Sequence, residues 1–566
     1  MSFQVDDASP TSVLPTGSSS SDSDAGDYRA PLNGDAPEPS IDGTSVTGGE
    51  GGVRATSADE VGLEEKTAAL AIKSQANALF SKSKYRDSLD LYTVSLNKNP
   101  FDAVVWSNRA AVRLKLEEHG LAIADATRAI ELDERAVKAY FRRAIANLAV
   151  LKPKAALVDL KKVVQLEPGN VTAKSQLDAT QKLIRRLAFE AAIASADEKP
   201  TSVKIEEQLA QDSPPIPSGY AGPQLPADGK PTAEFVDQLM EWFEKGNVLP
   251  LRLAYEIILG AYGVLKEEET LVEVEIPAGE TIDVIGDTHG QYFDFLNLLS
   301  LTGKPSPTHT LLFNGDFVDR GSWSTEILLV LFAYKWLYPG KVFLNRGNHE
   351  TSDMNKVYGF EGEMKKKYSD LTYKLCDEVF VALPLATLVS ATSSPRSDAT
   401  PNPPNPTLHL GRKRFFVVHG GLFSKDSVTL EDIRKVPRKT IRQPGQEGLM
   451  CEMLWCDPQD APGRGPSKRG VGLGFGPDIT RKWTELNEIT AVIRSHEVRQ
   501  GGYSVEHDGL LITVFSAPNY VDQVGNLGAF ARIDETGEIA YNTFSEVPHP
   551  NIRPMAYAGG MGMMGM

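Results

Sequence analysis

The sequence has little cysteine, no excess of positive charge and no long uninterrupted apolar run. Its three cysteines, Cys376, Cys451 and Cys456, show no paired spacing with histidines, so neither a disulfide framework nor a structural zinc site is indicated. The formal net charge of -16 argues against a nucleic-acid partner or an anionic membrane surface, because phosphate would repel the average surface. No run reaches the roughly 18 apolar residues of a membrane span, and no signal-peptide pattern opens the sequence. These absences predict a protein of a reducing, intracellular compartment.

Four segments have too few large apolar residues to build a core. Residues 1–60 consist mainly of Ser, Gly, Asp, Pro and Thr, which predicts a disordered tail. Residues 200–230 are rich in Pro and Gly and are predicted to form an interdomain linker. Residues 390–405, SATSSPRSDATPNPPN, are predicted to be a disordered surface insertion. Residues 559–566 are predicted to be a Gly- and Met-rich tail.

Helical periodicity begins at residue 69 and repeats every 34 residues. Small residues recur at the same phases, where two helices of a hairpin must approach closely. The aligned positions are Ala76, Ala110 and Ala144, then Ser88, Ala122 and Ala156, then Ser95, Ala129 and Val163, and finally Pro100, Glu134 and Pro168. The pattern resembles the tetratricopeptide repeat and predicts an all-α solenoid of three repeats over residues 69–170. Residues 171–199 contain an amphipathic stretch and are predicted to supply the helix that caps the solenoid.

From residue 231 onward, helices alternate with short apolar strands, and polar residues directly follow six of these strands. The motifs are GDTHG, GDFVDRG, RGNHE, HGG, RSHE and SAPNY. They supply Asp287, His289, Asp316, Asp319, Arg320, Asn348, His349, His419, His496, Asn519 and Tyr520. Any one of them is compatible with an ordinary turn or helix cap, Asn348 included. Six such events together predict an α/β domain whose strands aim polar groups into one crevice.

The residue types in these motifs select the chemistry of the crevice. Asp, Asn and His without thiolates suit divalent ions such as Mn, Fe, Zn or Mg. Two such ions need a bridging carboxylate, and an ion pair of this kind supports in-line displacement at phosphorus. Arg320 and Arg469 offer planar guanidinium groups that can hold phosphate oxygens in a bidentate manner. The residues therefore predict a metal-dependent phosphoesterase.

The motifs and their order resemble the signature of the serine/threonine phosphoprotein phosphatases over residues 231–558. The preceding repeats, the SKRGV segment and VPHPNIRPMAYA are similar to the type 5 branch of that family. The resemblance implies a calcineurin-like metallophosphoesterase domain, which is a central β-sandwich flanked by helices. It implies a first metal ion on Asp287, His289 and the bridging Asp316, and a second on Asp316, Asn348, His419 and His496. It also implies catalytic roles for His349 and Asp319 and phosphate contacts from Arg320, Arg469 and Tyr520.

In the mechanism that the resemblance implies, a hydroxide bridging two divalent ions attacks phosphorus directly. The ions would be Mn or Mg in an assay, with Fe or Zn as native alternatives. His349 would protonate the departing seryl or threonyl oxygen, while Asp319 orients its imidazole. No Cys-x5-Arg loop is present, which argues against a cysteine-dependent phosphatase. The chain departs from the family pattern at Val521, where Cys usually follows SAPNY, and at Cys456, where Ser is usual.

The first helices of the repeats carry a candidate peptide clamp. Its members are Lys73, Asn77, Asn108, Lys138 and Arg142, at positions that share one helix face. Charges at such positions are also compatible with an ordinary solvated surface. The resemblance assigns them to binding the C-terminal Glu-Glu-Val-Asp of heat-shock protein 90, with heat-shock protein 70 as a second partner. It also implies autoinhibition by the repeats, with Glu117 contacting the catalytic channel and a fatty acid as a further activator.

Three functions remain open from the sequence. The preferred one is a phosphoserine and phosphothreonine phosphatase that acts on phosphoproteins in the cytoplasm and nucleus, the location being implied by the family alone. A metallophosphoesterase for other phosphoesters would also carry GDTHG, although Arg469 and SAPNY favour the protein phosphatase. A non-catalytic chaperone adaptor is disfavoured because every expected metal ligand and the expected acid are present.

Overall fold

The computed structural model describes residue 57 and residues 61–193, 199–391 and 412–550. Three sequence predictions therefore fall wholly or largely outside the described residues. They are the N-terminal tail at 1–60, the insertion at 390–405 apart from its first two residues, and the C-terminal tail at 559–566.

Six helices form three hairpins at the start of the described chain. They are α1 (Leu63–Ser81), α2 (Tyr85–Lys98), α3 (Ala103–Lys115), α4 (His119–Leu132), α5 (Val137–Ala149) and α6 (Pro153–Leu166). The small residues aligned by the repeat explain the close packing, since Ala76, Ala110 and Ala144 are 0% exposed. In the first hairpin, the Ser88 hydroxyl donates to the carbonyl of Ala76 at 2.9 Å. The predicted solenoid of three helical repeats is confirmed.

Two further helices connect the solenoid to the second domain. The first is α7 (Val171–Ile193), within the range predicted for the capping helix, and the second is α8 (Thr201–Ala210), within the range predicted for the linker. The Ser202 hydroxyl donates to Glu378 at 2.5 Å, and Ile205 is 0% exposed in the core of the second domain. This part of the segment is therefore packed on the second domain. The sequence analysis did not predict α8, because this helix has only 10 residues and a Pro- and Gly-rich sequence follows it.

Two β-sheets pack face to face in the second domain. The strands are β1 (Leu271–Ile276), β2 (Thr281–Ile285), β3 (Thr310–Phe313), β4 (Val342–Leu344), β5 (Ala386–Ala391), β6 (Arg414–Val418), β7 (Asp457–Pro458), β8 (Arg464–Pro466), β9 (Leu473–Phe475), β10 (Ala491–Arg494), β11 (Tyr503–Glu506), β12 (Leu511–Val514), β13 (Gly528–Asp534) and β14 (Ile539–Phe544). The strand orders are β1-β5-β6-β10-β12-β11, β14-β13-β2-β3-β4 and, in a small third sheet, β7-β9-β8. Val284 and Leu312 of one large sheet share a buried cluster with Val417 and Ile493 of the other. This is the β-sandwich that the family resemblance implies.

Helices cover both outer faces of the sandwich. They are α9 (Ala233–Glu244), α10 (Leu251–Leu265), α11 (Tyr292–Thr302), α12 (Ser324–Leu337), α13 (Ser352–Tyr358), α14 (Phe360–Lys367), α15 (Asp370–Ala382), α16 (Leu430–Arg434), α17 (Arg438–Ile441), α18 (Leu449–Trp455) and α19 (Pro477–Asn487). One apolar core lies under α9 to α12 with α14 and α15, and a second lies under α16, α18 and α19. Among the described residues, no helix combines the length and the apolar composition needed to cross a bilayer.

The strand directions explain where the polar motifs meet. In one sheet β2, β3 and β4 are parallel neighbours, and in the other β6, β10 and β12 are parallel neighbours. The carboxyl ends of parallel neighbours lie at the same edge of a sheet, and the six polar motifs follow these six strands directly. Each sheet therefore contributes three motifs to its own edge, as expected for a crevice at strand ends.

Candidate active site

The five-stranded sheet brings two aspartates and a histidine together. Nε2 of His289 lies 3.6 Å from Oδ2 of Asp287 and 3.5 Å from Oδ2 of Asp316. All three side chains are buried. Nδ1 of His289 lies 3.0 Å from the carbonyl oxygen of Val318, so Nδ1 carries the proton and donates it. Nε2 therefore directs its lone pair toward the carboxylates, as in a metal-binding histidine.

The second group joins the two sheets. Nε2 of His419 lies 2.9 Å from Oδ1 of Asn348, 3.1 Å from Nδ1 of His496 and 3.3 Å from Oδ2 of Asp316. Nδ1 of His419 lies 2.9 Å from the carbonyl oxygen of Asn314, which fixes the same tautomer as in the first group. All six residues that the sequence predicts as metal ligands therefore lie close together, and Asp316 is adjacent to both His289 and His419.

This donor set fits two divalent cations. Ligand atoms of Asp316, His419 and His496 lie within 4.8 Å of one another, and Oδ2 of Asp316 also lies 3.5 Å from Nε2 of His289. Asp316 therefore lies between the two groups of ligands, as a bridging carboxylate requires. Nε2 of His496 is buried without a hydrogen-bond partner among the described residues, a costly state for a polar atom. Oxygen and imidazole ligands without thiolates suit Mn, Fe, Zn or Mg.

The electrostatics of the site point in the same direction. Burial, followed by repulsion from Asp316, raises the pKa of Asp287 to about 7. Burial also raises the pKa of Asp316 well above its usual range. Burial lowers the pKa of His289 and of His496 well below the usual value, so both rings are neutral. Neutral rings beside two buried carboxyl groups form a site that a cation would stabilise.

A second buried acid supports the turn that carries Asp316. Oε2 of Glu350 accepts hydrogen bonds from the backbone N–H groups of Asp316 and Gly347, both at 2.8 Å, and Oε1 accepts one from Phe317 at 2.8 Å. The φ angle of Asp316 is 53°, which is unfavourable for a residue with a side chain. The sequence analysis did not assign Glu350 a role, although its position after Asn348 in RGNHE was the available signal.

The predicted proton donor and its partner are in direct contact. Nδ1 of His349 lies 2.8 Å from Oδ2 of Asp319, and both side chains are buried. Burial raises the pKa of Asp319 to about 7, although the backbone N–H of Phe360 acts to lower it. His349 also lines the cavity that contains Asp287 and Asp316. Because Nδ1 is engaged, Nε2 is the atom available for proton transfer in the cavity.

The three predicted phosphate-contacting residues, Arg320, Arg469 and Tyr520, line the same cavity. Arg469 donates from Nε to Asp457 at 2.7 Å and from Nη2 to the carbonyl of His496 at 2.5 Å. Asp457 is held in turn by Arg494, which donates from Nη2 at 2.9 Å and is 0% exposed. Asp457 and Arg494 therefore fix the direction of Arg469, a relationship that no local sequence pattern revealed.

Glu117 of the solenoid reaches into this cavity. It lies in the turn between α3 and α4, and its Oε1 is 2.8 Å from Nη2 of Arg320. Burial acts to raise the pKa of Glu117, but the cationic Arg320 and its neighbours outweigh burial and lower the pKa to about 2. The carboxylate of Glu117 therefore occupies the guanidinium group that the sequence analysis predicts to contact phosphate.

Backbone contacts hold this turn against the catalytic domain. The N–H groups of Gly120 and Leu121 donate to the carbonyl of Lys468 at 2.8 and 3.2 Å, next to Arg469. Val150, at the end of α5, is 2% exposed and belongs to a core cluster of the second domain. A cavity of about 1410 Å³ lies between the two domains, with lining residues from both. The solenoid and the catalytic domain thus enclose the site together.

The predicted clamp residues lie along neighbouring first helices. Nδ2 of Asn108 donates to Oδ1 of Asn77 at 3.3 Å, and Nη1 of Arg142 donates to Oδ1 of Asn108 at 3.3 Å. Lys138 is exposed one turn before Arg142, whereas Lys73 pairs with Asp102 at 3.1 Å. The structure therefore connects the three repeats through the amides and Arg142, and it leaves the ammonium group of Lys138 at the surface.

The two departures from the family pattern lie in different environments. Val521 lines the cavity and has a φ angle of 52°. Cys456 is buried, and its sulfur accepts a hydrogen bond from the backbone N–H of Leu473 at 3.4 Å. Burial raises the pKa of Cys456 far above its usual range, so this thiol is not a nucleophile.

Two family models match the chain. A model described as calcineurin-like phosphoesterase matches residues 280–500, which include five of the six polar motifs completely. A model described as the PPP5 TPR repeat region matches residues 177–273, from within α7 to within β1.

Relatives match over both domains. The chain is 49% identical over 491 residues to serine/threonine-protein phosphatase T of Aspergillus oryzae, covering 87% of this chain and 97% of the relative. It is 43% identical over 496 residues to human serine/threonine-protein phosphatase 5, covering 88% of this chain and 94% of the relative. A solved structure of a Saccharomyces cerevisiae protein serine/threonine phosphatase, described as similar to human phosphatase PP5, has a TM-score of 0.51 and 42% identity. It covers 58% of this chain and 100% of that chain.

Proposed function

Because the chain belongs to the serine/threonine-protein phosphatase 5/T family and is a protein serine/threonine phosphatase, we propose that its own repeats inhibit it and that a chaperone tail relieves the inhibition. The observation that carries this proposal is the ion pair between Glu117 and Arg320 at 2.8 Å. A carboxylate in that position competes with a substrate phosphate for the same guanidinium group. In this proposal, the contact between the two domains closes the channel.

The catalytic part of the proposal assigns a role to each group in the cavity. Asp287, His289 and Asp316 would hold one divalent ion, and Asp316, Asn348, His419 and His496 would hold the second. When bound, two such ions activate water and neutralise phosphate charge; we propose Mn or Mg in an assay and Fe or Zn natively.

The remaining groups of the cavity bind the substrate and handle its proton. Arg320 and Arg469 bind the phosphate oxygens, and Tyr520 lines the same cavity as these two arginines. Nε2 of His349 donates a proton to the seryl or threonyl oxygen as its bond to phosphorus breaks. The carboxylate of Asp319, 2.8 Å from Nδ1, keeps the imidazole in the orientation for this transfer.

The clamp residues are proposed to receive the extended C-terminal Glu-Glu-Val-Asp of heat-shock protein 90, and secondarily that of heat-shock protein 70. Lys73, Asn77, Asn108, Lys138 and Arg142 offer cations and amides to carboxylates. Lys138 and Arg142 also border the cavity between the domains. Peptide binding there is therefore adjacent to the contact that closes the channel, which supports coupling between the two.

Two further proposals follow from membership of the family. The enzyme is proposed to act in the cytoplasm and nucleus, which imaging of a fluorescent fusion tests directly. A fatty acid is proposed as a second activator, which is tested by adding a long-chain fatty acid below its micelle-forming concentration to the activity assay.

The main proposal is tested by hydrolysis of a phosphoseryl peptide by the full-length, Mn-loaded protein. The assay is run with and without a peptide that ends in Met-Glu-Glu-Val-Asp. Low activity that rises several-fold with the peptide supports catalysis, clamp and coupling together. High activity that the peptide does not change keeps the phosphatase and contradicts autoinhibition. No activity in either condition favours a chaperone adaptor, and activity on other phosphoesters alone favours a different metallophosphoesterase.

A further inference from the structure

Asn355 lies close to the proton-donating pair without lining the cavity. It lies in the middle of α13, the helix that follows RGNHE, and it is 0% exposed. Its backbone is fixed within the helix, since its N–H donates to the carbonyl of Thr351 at 3.1 Å. A buried amide on a rigid element is expected to have specific polar partners.

Both partners of the Asn355 amide belong to that pair. Nδ2 donates to Oδ2 of Asp319 at 3.1 Å and to the carbonyl oxygen of His349 at 2.7 Å. Both partners are acceptors, so only the NH2 end of the amide satisfies them, and the amide orientation is fixed by chemistry. Oδ1 of Asn355 is buried and has no hydrogen-bond partner among the described residues. The Asn355 side chain thus donates hydrogen bonds to Asp319 and His349, while its own Oδ1 lacks a donor among the described residues.

The amide completes the set of donors around Asp319. Oδ1 of Asp319 accepts from the backbone N–H of Phe360 at 2.8 Å, and Oδ2 accepts from both His349 and Asn355. The carboxylate plane is therefore fixed from three directions. Without Asn355, Oδ2 would keep one donor, and the carboxylate could rotate about its bond to Cβ.

The same amide also fixes His349 from its backbone side. Nδ2 of Asn355 binds the carbonyl oxygen of His349, and Asp319 binds the imidazole ring of His349. Because the same NH2 group also binds Asp319, it sets the distance between the His349 backbone and the Asp319 carboxylate. At the end of α13, Tyr358 packs its ring 5.1 Å from that of His349. The helix thus supports His349 at two points.

We infer that Asn355 is a positioning residue for general-acid catalysis, acting on His349 through Asp319 and through the His349 backbone. This inference rests on the proposed role of His349 as proton donor. Asn355 does not touch substrate; it holds the imidazole so that Nε2 delivers its proton to the leaving oxygen as the bond between that oxygen and phosphorus breaks. A general acid of this kind contributes about 10²- to 10⁴-fold to the rate, and misplacement of the ring loses part of that factor.

The leaving group separates this role from a merely structural one. A seryl alkoxide is a poor leaving group and needs the proton, whereas 4-nitrophenolate leaves readily without one. Loss of positioning therefore lowers kcat for a phosphoseryl peptide much more than kcat for 4-nitrophenyl phosphate. Loss of folded protein lowers both equally.

The experiment uses full-length, Mn-loaded Asn355→Leu, which keeps the approximate side-chain volume, and Asn355→Ser, a smaller replacement that guards against misfolding of the first. Met354→Ala is the control, because Met354 is also buried on α13 but packs in an apolar cluster. All proteins are assayed on both substrates with the chaperone peptide present. For at least one Asn355 variant, we expect kcat on the phosphoseryl peptide to fall tenfold or more and kcat on 4-nitrophenyl phosphate to change less than threefold, while the control loses both in proportion.

Two results would overturn the inference. One is an equal loss on both substrates by each soluble Asn355 variant, and the other is parental kinetics in both. Failure of the proposed function looks different, since the parent protein itself would then not hydrolyse the phosphoseryl peptide. If both variants prove insoluble while the control folds, Asn355 is a structural residue and the inference is wrong.

Discussion

Arg320 and Glu117 form an ion pair at 2.8 Å between the catalytic crevice and the repeat solenoid. Arg320 is 7% exposed, and its guanidinium carbon also lies 3.9 Å from the ring centre of Tyr358. In the proposed function, Arg320 binds the substrate phosphate and an acid from another domain occupies it. Activation under this proposal requires the pair to separate.

Gly120→Ala is expected to raise basal phosphatase activity several-fold. A Cβ at this position would lie 2.5 Å from the backbone nitrogen of Gly470 and 2.8 Å from the carbonyl oxygen of Ser467, and backbone atoms cannot move aside easily. Gly169→Ala in the same solenoid is the matched control, because nothing lies within 4 Å of its added Cβ. Steady-state assays without chaperone peptide compare the two. Equal activity in both variants would contradict inhibition through the contact between Gly120 and the catalytic domain.

Lys138→Ala is expected to weaken binding of the Met-Glu-Glu-Val-Asp peptide at least fivefold, since it removes an exposed cation from the clamp. Thermal stability should stay unchanged because the side chain is exposed. Isothermal titration calorimetry measures the affinity, with Lys154→Ala, an exposed lysine on α6, as the control. Parental affinity in Lys138→Ala would remove this lysine from the clamp.

Lower pH is expected to weaken autoinhibition through His119, which is adjacent to the Glu117 turn. Burial lowers the pKa of His119 to about 4 in the closed protein, although Glu117 acts to raise it, against an ordinary value of 6.5. Arg320 and Arg469 also face it and act to lower its pKa. Below pH 6.5, the closed form therefore binds fewer protons than an open form in which the His119 ring is solvated. Closure is thus favoured above pH 6.5 and weakens as pH falls toward about 4.

Glu117 itself contributes no change between pH 7.5 and pH 6.0, because its pKa is held at about 2 in the closed protein and is ordinarily 4.5. Its contribution is complete above 4.5 and is lost only as pH falls toward 2. The measurement is the ratio of peptide-stimulated to basal activity, which should be smaller at pH 6.0 than at pH 7.5. His119→Gln should make that ratio independent of pH, and a ratio that still falls in this variant would exclude His119.

Removal of divalent ions with a chelator is expected to abolish activity and lower Tm. Burial raises the pKa of both Asp287 and Asp316, and Asp316 acts to raise the pKa of Asp287 further, so a cation between the two carboxyl groups would stabilise their charged forms. Differential scanning fluorimetry with and without added Mn²⁺ measures the shift. Asn348→Ala, which removes a neutral ligand, should reduce the shift caused by Mn²⁺. An identical Tm with and without the ion would contradict the assigned site.

The sequence indicates the residues of the candidate site more directly than it indicates the contact between Glu117 and Arg320. Asp287, His419 and His496 each follow an apolar strand directly. Local pattern and parallel pairing together place Asp287 at the edge of one sheet, and His419 and His496 at the edge of the other. The pairing of Glu117 with Arg320 joins residues about 200 positions apart in different domains, and only the family resemblance suggested it. Asn355 lies on a short helix and has no local pattern to mark it, because its partners are defined by the tertiary fold.

The most direct measurement is the basal activity of full-length, Mn-loaded Glu117→Gln without chaperone peptide. Removing the charge leaves Arg320 free to bind substrate phosphate, so we expect basal activity to rise at least fivefold. A destabilisation of the closed state by about 1 kcal/mol would produce this increase. We expect the chaperone peptide to add little further activity. Glu118→Gln is the matched control, because Glu118 pairs with Arg86 inside the solenoid at 2.8 Å. Basal activity of Glu117→Gln equal to that of the parent and the control, with full stimulation by the peptide, would contradict closure of the channel by this ion pair.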